Sequence, residues 1–395
     1  MIKIISSKYF LIGIFAFLFS LVLGGDIPNM LFRIWVVAGA LAIATLLSYT
    51  FKIKYTFYVD KEEIKSEESI KMRHRFFNHS KAIPANYAEI IELNDLDTKK
   101  DNNPKIVSIP PLDEYLFEKE VNVKRRGIYD LGKCVLKTRD IFGIFEIQRR
   151  FDPQKKLIVF PKVVDIKEVA LLPSESFGSE ANKISFSEDY TNIDKIRKYV
   201  VGDSHKKINH KLTARFSEIF INEFESSSRA SAVFFMDGFK LEYSNDEGRK
   251  GEDKLIELIA SMTKLFLIKK IPLLYMDSTS KKRYLEMKNE YDFKGLLKEL
   301  AGFNPDGDLH SSRVLEIASK DFLDRKVIFI FSKELDKEKI SRFFILKKKG
   351  YKIIPVTVGD YENRAKYESM LIKESIWPIN IGLNQPVSEV FSNRR

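Results

Sequence analysis

A single cysteine, Cys134, stands in 395 residues, so neither an internal disulfide nor a cysteine-built zinc site is available to this chain. The five histidines, at 74, 79, 205, 210 and 310, show no HExxH or similar ligand spacing. GxSxG, GxGxxG and GxxxxGK[ST] are also missing, which leaves hydrolase, dinucleotide and P-loop readings without support. Gly (18) and Pro (13) are modest beside Phe (31) and Tyr (16), a balance that suits folded domains and not a disordered chain. Charge is plentiful but uneven: 66 Lys and Arg against 55 Asp and Glu give +11. That excess suits nucleic acid, an anionic membrane surface or an acidic protein equally. The basic residues are scattered and not interleaved with aromatics on a known platform, so no nucleic acid is expected as partner.

Charge is absent altogether from two runs near the start. YFLIGIFAFLFSLVLGG (residues 9–25) and IWVVAGALAIATLLSYTF (residues 34–51) are each close to the roughly 20 residues a helix needs to cross a bilayer. With only the GGDIPN turn between them, they read as a transmembrane helical hairpin over residues 1–54 and not as a cleaved signal peptide. Lys3 and Lys8 precede the first run, and Lys52 and Lys54 follow the second. The positive-inside rule then puts both ends, and the bulk of the chain, in the cytoplasm. Trp35 and Tyr49 would anchor the second helix at opposite interfaces. Two spans with so little polar content build an anchor in the cell membrane, not a channel.

From 55 to 165 the apolar pattern has period two. SIKMRHRFF puts Ile70, Met72, His74 and Phe76 on one face and Lys71, Arg73 and Arg75 on the other, as a half-buried strand requires. YTFYV, YAEIIEL, KIVSI, LFEKEVNV and KCVLKT add strands between turn signals, which suggests an antiparallel β-sandwich-like domain. Residues 166–228 form a connecting segment. From 229 to 395 short apolar runs (SAVFFMD, IPLLYMD, KVIFIFS, KIIPVTVG) alternate with helical stretches, the pattern of an α/β domain with a parallel, Rossmann-type sheet.

Such sheets bind ligands at the carboxyl ends of their strands, where Asp237 falls. A Mg²⁺ there would want further oxygen ligands, yet Gly238, Phe239 and Lys240 follow, and the third buried strand ends in Ser332 and Lys333. No metal is expected, no catalytic group is assigned, and no cofactor is implied. Cys134 lies mid-strand, where a cysteine is ordinarily a small core residue.

The most basic stretch, RKYVVGDSHKKINHKLTAR (197–215), bridges the two folded segments. IDKIRKYV can form a helical turn ended by Gly202, and HKKINHKLTARFSEIFINEFE, with Ile208, Leu212 and Phe216 as its apolar positions, fits a second helix or an extended packing arm. Two readings stay open for it. One is a basic linker ordered by Asp203 pairing with Arg197 or Arg215. The other is a docking surface for an acidic partner, built on Lys206, Lys207 and Lys211.

The residues Arg197, Tyr199, Gly202, Asp203, Lys206, Ile208, Asn209, Thr213, Ala214 and Arg215, followed by Glu223, Phe224 and Glu225, resemble the signature of the domain-of-unknown-function 58 family. RRGIYDLG (Arg125 to Gly132) and DIFGIF (Asp140 to Phe145) resemble its second hallmark. His210 stands where the family usually has Trp, and Ile141 where it has Pro. The resemblance implies a bacterial or archaeal membrane-anchored protein with a von Willebrand A-like cytoplasmic domain. It also implies a MoxR-type AAA+ ATPase as partner, in the assembly or activation of other complexes. The D-x-S-x-S metal motif of true von Willebrand A domains is missing after Asp237, so the domain is degenerate. The combined expectation is a membrane-anchored adaptor, not an enzyme, with its partner surface at Arg197, Tyr199, Gly202, Asp203, Lys206, Lys207, Lys211 and Arg215 and in the crevice at Asp237. The alternatives are a Mg²⁺- or Ca²⁺-dependent binding module and an enzyme of unrecognised type. Self-association stays open.

Overall fold

Alternation decides the first part of the chain. In the computed structural model, which describes residues 2–93, 96, 104–166, 193–200, 208–216, 218–224, 232–319 and 327–389, two compact units divide at Phe160/Pro161. The first holds a strand β1 (Ile2–Ile4), helices α1 (Ser7–Leu23) and α2 (Asp26–Thr50), and ten further strands. These are β2 (Ile53–Val59), β3 (Glu63–Lys65), β4 (Ser69–Asn78), β5 (Ala85–Glu92), β6 (Lys105–Ile109), β7 (Glu114–Asn122), β8 (Gly127–Leu131), β9 (Cys134–Arg139), β10 (Phe145–Phe151) and β11 (Lys155–Phe160). They form sheets of order β1-β10-β9-β5-β6, β2-β4-β7 and β3-β11-β8. All pairings are antiparallel except β3 with β11.

Strand β4 follows its sequence pattern: Ile70, Met72, His74 and Phe76 are buried, while Lys71, Arg73 and Arg75 are exposed. Its inward face serves two apolar clusters. Ile70 and Met72 pack with Leu131, Leu157 and Val159; Phe76 packs with Ile90, Leu136 and Ile147. The outward arginines pair across strands, Arg73 with Glu118 and Arg75 with Glu114. They are a solvated face, where such pairs contribute little. The DIFGIF motif is the β9–β10 turn. Asp140 accepts from the Phe142 and Phe145 amides at 2.8 and 2.6 Å, and Gly143 adopts φ +67°. A glycine takes that left-handed conformation at low cost.

The apolar helices depart from their expected bounds. Helix α2 begins at Asp26 and not at residue 34, because Pro28 falls in its first turn, where a missing amide costs nothing. The turn shrinks to Gly24 and Gly25, with φ +60° and +83°. Among the described residues α2 is the one helix long and apolar enough to cross a membrane; α1, with 17 residues, is shorter. The anchoring role expected of Tyr49 is not met. Tyr49 is 1% exposed, joins Ala42 and Leu46 in the sheet's core, and donates to the Arg139 carbonyl. Trp35 stacks on Tyr9 of α1. Both ends of the helix pair return to one sheet: β1 pairs with β10, and Thr50 Oγ1 lies 2.9 Å from Thr138 Oγ1 on β9.

The second unit opens with β12 (Ile193–Lys198), α3 (His210–Phe216) and β13 (Phe220–Phe224). Here a sequence expectation is corrected. IDKIRKYV is not a helical turn but strand β12, paired antiparallel with β13. Its β-favouring Ile residues find a partner strand about two dozen residues downstream, a non-local pairing that outweighs local helix propensity. The six-stranded sheet then assembles from β14 (Ala232–Met236), β15 (Leu273–Asp277), β16 (Tyr284–Met287), β17 (Val327–Phe331), β18 (Lys352–Val358) and β19 (Ile379–Ile381). Its order is β16-β15-β14-β17-β18-β19, parallel except for β16 at the edge. Among the described residues five helices accompany it: α4 (Asp246–Ile268), α5 (Phe293–Ala301), α6 (Ser311–Ala318), α7 (Lys337–Lys348) and α8 (Arg364–Lys373). Ala232, Phe234 and Met236 of β14 face α4 and α5, while Val233 and Phe235 face α6 and α7. Burial on both faces is what the uninterrupted apolar runs required.

Candidate functional site

Three central strands end at polar residues. Asp237 follows β14, Asp277 closes β15, and Ser332 follows β17. Asp237 is wholly buried. Its Oδ1 accepts from the Phe239 amide at 3.0 Å and from Ser278 Oγ at 3.3 Å. Its Oδ2 lies 3.0 Å from Ser332 Oγ and 2.8 Å from Lys339 Nζ.

Lys339 belongs to the first turn of α7, whose N-cap Asp336 accepts from the Lys339 amide at 2.8 Å. Helical side chains tilt toward the helix N-terminus, so this stem reaches back over the sheet edge, and Lys339 is 0% exposed. Its ammonium, ion-paired with Asp237, donates to Ser332 Oγ (2.7 Å), to the Glu334 carbonyl (2.9 Å) and to Glu242 Oε1. Glu242 comes from the 3₁₀ turn Lys240–Tyr243.

Burial alone would raise the pKa of Asp237, but the charge of Lys339 and the hydrogen bonds overcome it and hold the carboxyl below its ordinary range. Glu242 goes the other way. Burial, then the neighbouring Asp237 charge, push it up to about 8 against the pull of Lys339. Burial disfavours the Lys339 ammonium, yet Asp237 and Glu242 together keep its pKa above the usual lysine value.

Next to this cage, His310 Nε2 lies 2.9 Å from Asp336 Oδ2, and its Nδ1 lies 2.7 Å from Ser312 Oγ. The Asp336 hydrogen bond raises the His310 pKa, with burial opposing. Glu242, His310 and Asp336 offer ligand atoms within 4.8 Å of one another. This donor set does not fit a divalent cation. Both imidazole nitrogens are engaged, the Glu242 carboxylate holds the ammonium, and Lys339 Nζ stands 3.9 Å from Asp336 Oδ2. At Asp237 itself the ammonium takes the place a metal would need, so the fit fails there too.

The neighbouring loops are pinned. The Gly238 amide donates to Ser278 Oγ at 2.7 Å and the Gly307 amide to the Gly238 carbonyl at 2.9 Å. A Cβ on Gly238 would come within 2.8 Å of Thr279 Cγ2. Phe239 meets His310 edge-on at 5.3 Å, and Leu241 points into solvent. Asp277 is spent on Thr279 and on Arg283, which also holds Glu299.

Of the expected partner surface, Arg197 lies on β12, Tyr199 follows with its amide bonded to the Ile219 carbonyl, and Lys211 and Arg215 are exposed on α3. Gly202, Asp203, Lys206 and Lys207 lie outside the described residues, as does His205. Asp237, placed in an open crevice by the sequence reading, is instead sealed. Cys134 is in the core, where burial pushes its thiol up to about 12, unlike an activated nucleophile.

Lys339, Glu242 and Asp336 went unnoticed in the sequence, and His310 was weighed only for ligand spacing. One signal was present: Lys339, Phe343 and Leu346 fall at i, i+4 and i+7, all buried, so a lysine sits on an apolar helix face.

The family described as a protein of unknown function, DUF58, matches residues 195–366, somewhat less than half of the chain. No curated protein matches the sequence. Among solved structures, proximal thread matrix protein 1 from the mussel byssus is 11% identical with a TM-score of 0.31, over 42% of this chain and 45% of that one. The chain therefore spans less than half the length of that protein. A CARDB domain from Pyrococcus furiosus is 8% identical with a TM-score of 0.19, over 28% of this chain and 94% of that one. Likenesses this low carry no argument about fold or function.

Proposed function

We propose that this chain is a membrane-anchored interaction protein, an adaptor that presents a degenerate von Willebrand A-like domain at the cytoplasmic face. The observation that carries the reading is the filled crevice. At the strand ends where an α/β sheet would bind substrate or metal, the acids are consumed by Lys339 and Arg283. What the unit offers a partner is its surface. A Mg²⁺- or Ca²⁺-dependent binding module is the weaker reading, because it needs the oxygens that Lys339 already holds.

The membrane part of the proposal is a two-span hairpin with both ends cytoplasmic. Its support is that β1 and the last turn of α2 join the same sheet, with Lys3, Lys8, Lys52 and Lys54 on that side. The partner we propose is a MoxR-type AAA+ ATPase or its client, on the strength of the family resemblance, and the docking surface is the basic segment 197–215.

The test is to purify tagged full-length protein from gently solubilised native membranes and to identify what accompanies it. A MoxR-type ATPase in stoichiometric amount supports the adaptor, and charge reversal at Lys206, Lys207 and Lys211 then abolishes capture. A chain that comes down alone, with and without ATP and Mg²⁺, overturns it.

A further inference from the structure

Four oxygens converge on one point at the carboxyl edge of the sheet: Asp237 Oδ2, Glu242 Oε1, Ser332 Oγ and the Glu334 carbonyl. They come from four places in the chain: the end of β14, the 3₁₀ turn after it, the end of β17, and the loop into α7. Two carboxyl groups, a hydroxyl and a main-chain carbonyl are the hard, oxygen-only donors by which proteins hold Mg²⁺, Mn²⁺ or Ca²⁺, the Glu242 carboxyl giving up its proton to a divalent ion. What occupies the point is Lys339 Nζ. Its distances to Asp237, Ser332 and Glu334, 2.7 to 2.9 Å, are those of N–H···O bonds, longer than the roughly 2.0–2.6 Å of metal–oxygen bonds.

We infer that this is a cation site whose occupant is part of the chain: Lys339 stands where a dissociable divalent cation would otherwise be held. The cage is loaded as soon as α7 docks, and it owes nothing to the free metal concentration. The occupant is also a tie. Through one ammonium, α7 and the loop after β17 are fastened to β14 and its 3₁₀ turn, a connection that a free ion makes only while bound.

A corollary separates this from an ordinary buried ion pair. If the donors form a cation cage, removing the tethered cation leaves a site that takes up a free one. Lys339→Ala does so while keeping a strong helix former in the first turn of α7.

The experiment follows Mn²⁺ binding by the loss of free-ion electron paramagnetic resonance, together with thermal unfolding in EDTA, Mg²⁺ or Mn²⁺, on full-length protein in detergent. The wild type is expected to melt at one temperature in all three and to bind no Mn²⁺ that depends on Asp237. Lys339→Ala is expected to melt lower in EDTA and to bind one Mn²⁺ per chain. Its melting temperature should rise by about 5 °C or more when Mn²⁺ is a hundredfold above its Kd. Adding Asp237→Asn should abolish that binding. A folded Lys339→Ala that binds no Mn²⁺ overturns the inference, as does a wild type whose Mn²⁺ binding is lost in Asp237→Asn. If Lys339→Ala folds neither in EDTA nor in Mn²⁺, Lys339→Ser carries the same readout with a polar group in the gap, and the wild-type arm decides independently. The inference concerns the cage alone and stands or falls without reference to the partner.

Discussion

The Nζ of Lys339 lies 2.8 Å from Oδ2 of Asp237, and neither side chain reaches solvent. Two opposite charges so placed are costly to bury and costly to separate. Removing one partner of such a pair strands the other in a medium that solvates it poorly.

Lys339→Met should therefore destabilise the protein by about 3–5 kcal/mol, read as a lower urea midpoint. The double variant Asp237→Leu/Lys339→Met should cost clearly less than the sum of its single changes, since neither stranded charge remains. Additive costs would show that the pair does not interact as the geometry requires.

Glu242 sets a pH dependence. Its folded-state pKa is raised, to about 8 from an ordinary 4.5. The folded state then binds the proton more tightly, so this contribution is complete below the unfolded value and is lost as pH rises toward 8. His310, also raised, loses its contribution above its ordinary value of 6.5. Asp237, lowered, acts in the opposite sense and only below its ordinary 3.8. The charged and titratable groups facing Glu242 include Asp237, Lys339 and Glu334, with His310 and Asp336 within 4.8 Å. Glu242→Gln, which mimics the protonated form, should flatten the fall in urea midpoint between pH 5 and pH 8 and leave the share due to His310. A slope equal to that of the wild type would contradict the assignment.

Gly238 has a neighbour in place of a side chain. Gly238→Ala puts a methyl within 2.8 Å of Thr279 Cγ2 and 3.0 Å of the Thr279 amide. Overpacking of this kind costs about 1–3 kcal/mol. Thr279→Ser removes the methyl that is struck and should recover part of the loss in a double variant, measured by thermal unfolding. No recovery would place the strain in the backbone.

Removing residues 1–54 should do more than release a membrane anchor. Ala42, Leu46 and Tyr49 are at most 1% exposed and share a core with Phe76, Ile90 and Leu136. A chain of residues 55–395 should melt lower than the full-length protein and associate through the uncovered sheet, as size-exclusion chromatography would register. A stable monomer would contradict the packing of α2.

The sequence reading reached furthest where one face or both faces of a strand are buried. The alternation in SIKMRHRFF placed Ile70 to Phe76 of β4 on the correct faces, and the apolar runs before Asp237, Asp277 and Ser332 located three central strands. It failed where the partner is distant. Strand β12 pairs with a segment whose own pattern is unremarked, and β1 is three residues long and exists through its pairing with β10. The candidate site was half visible. Asp237 and Ser332 end apolar runs, but Glu242 sits in a short turn with no period to flag it, and Lys339 lies among Lys337, Lys347, Lys348 and Lys349, which resemble it in type and differ only in direction.

The most direct measurement is a crystal structure of the wild-type protein grown in Mn²⁺, with anomalous scattering collected at the manganese edge. The account predicts Lys339 Nζ density between Asp237 and Glu242 and no anomalous peak within bonding distance of either carboxylate. A manganese peak there, with the lysine turned aside, would contradict it.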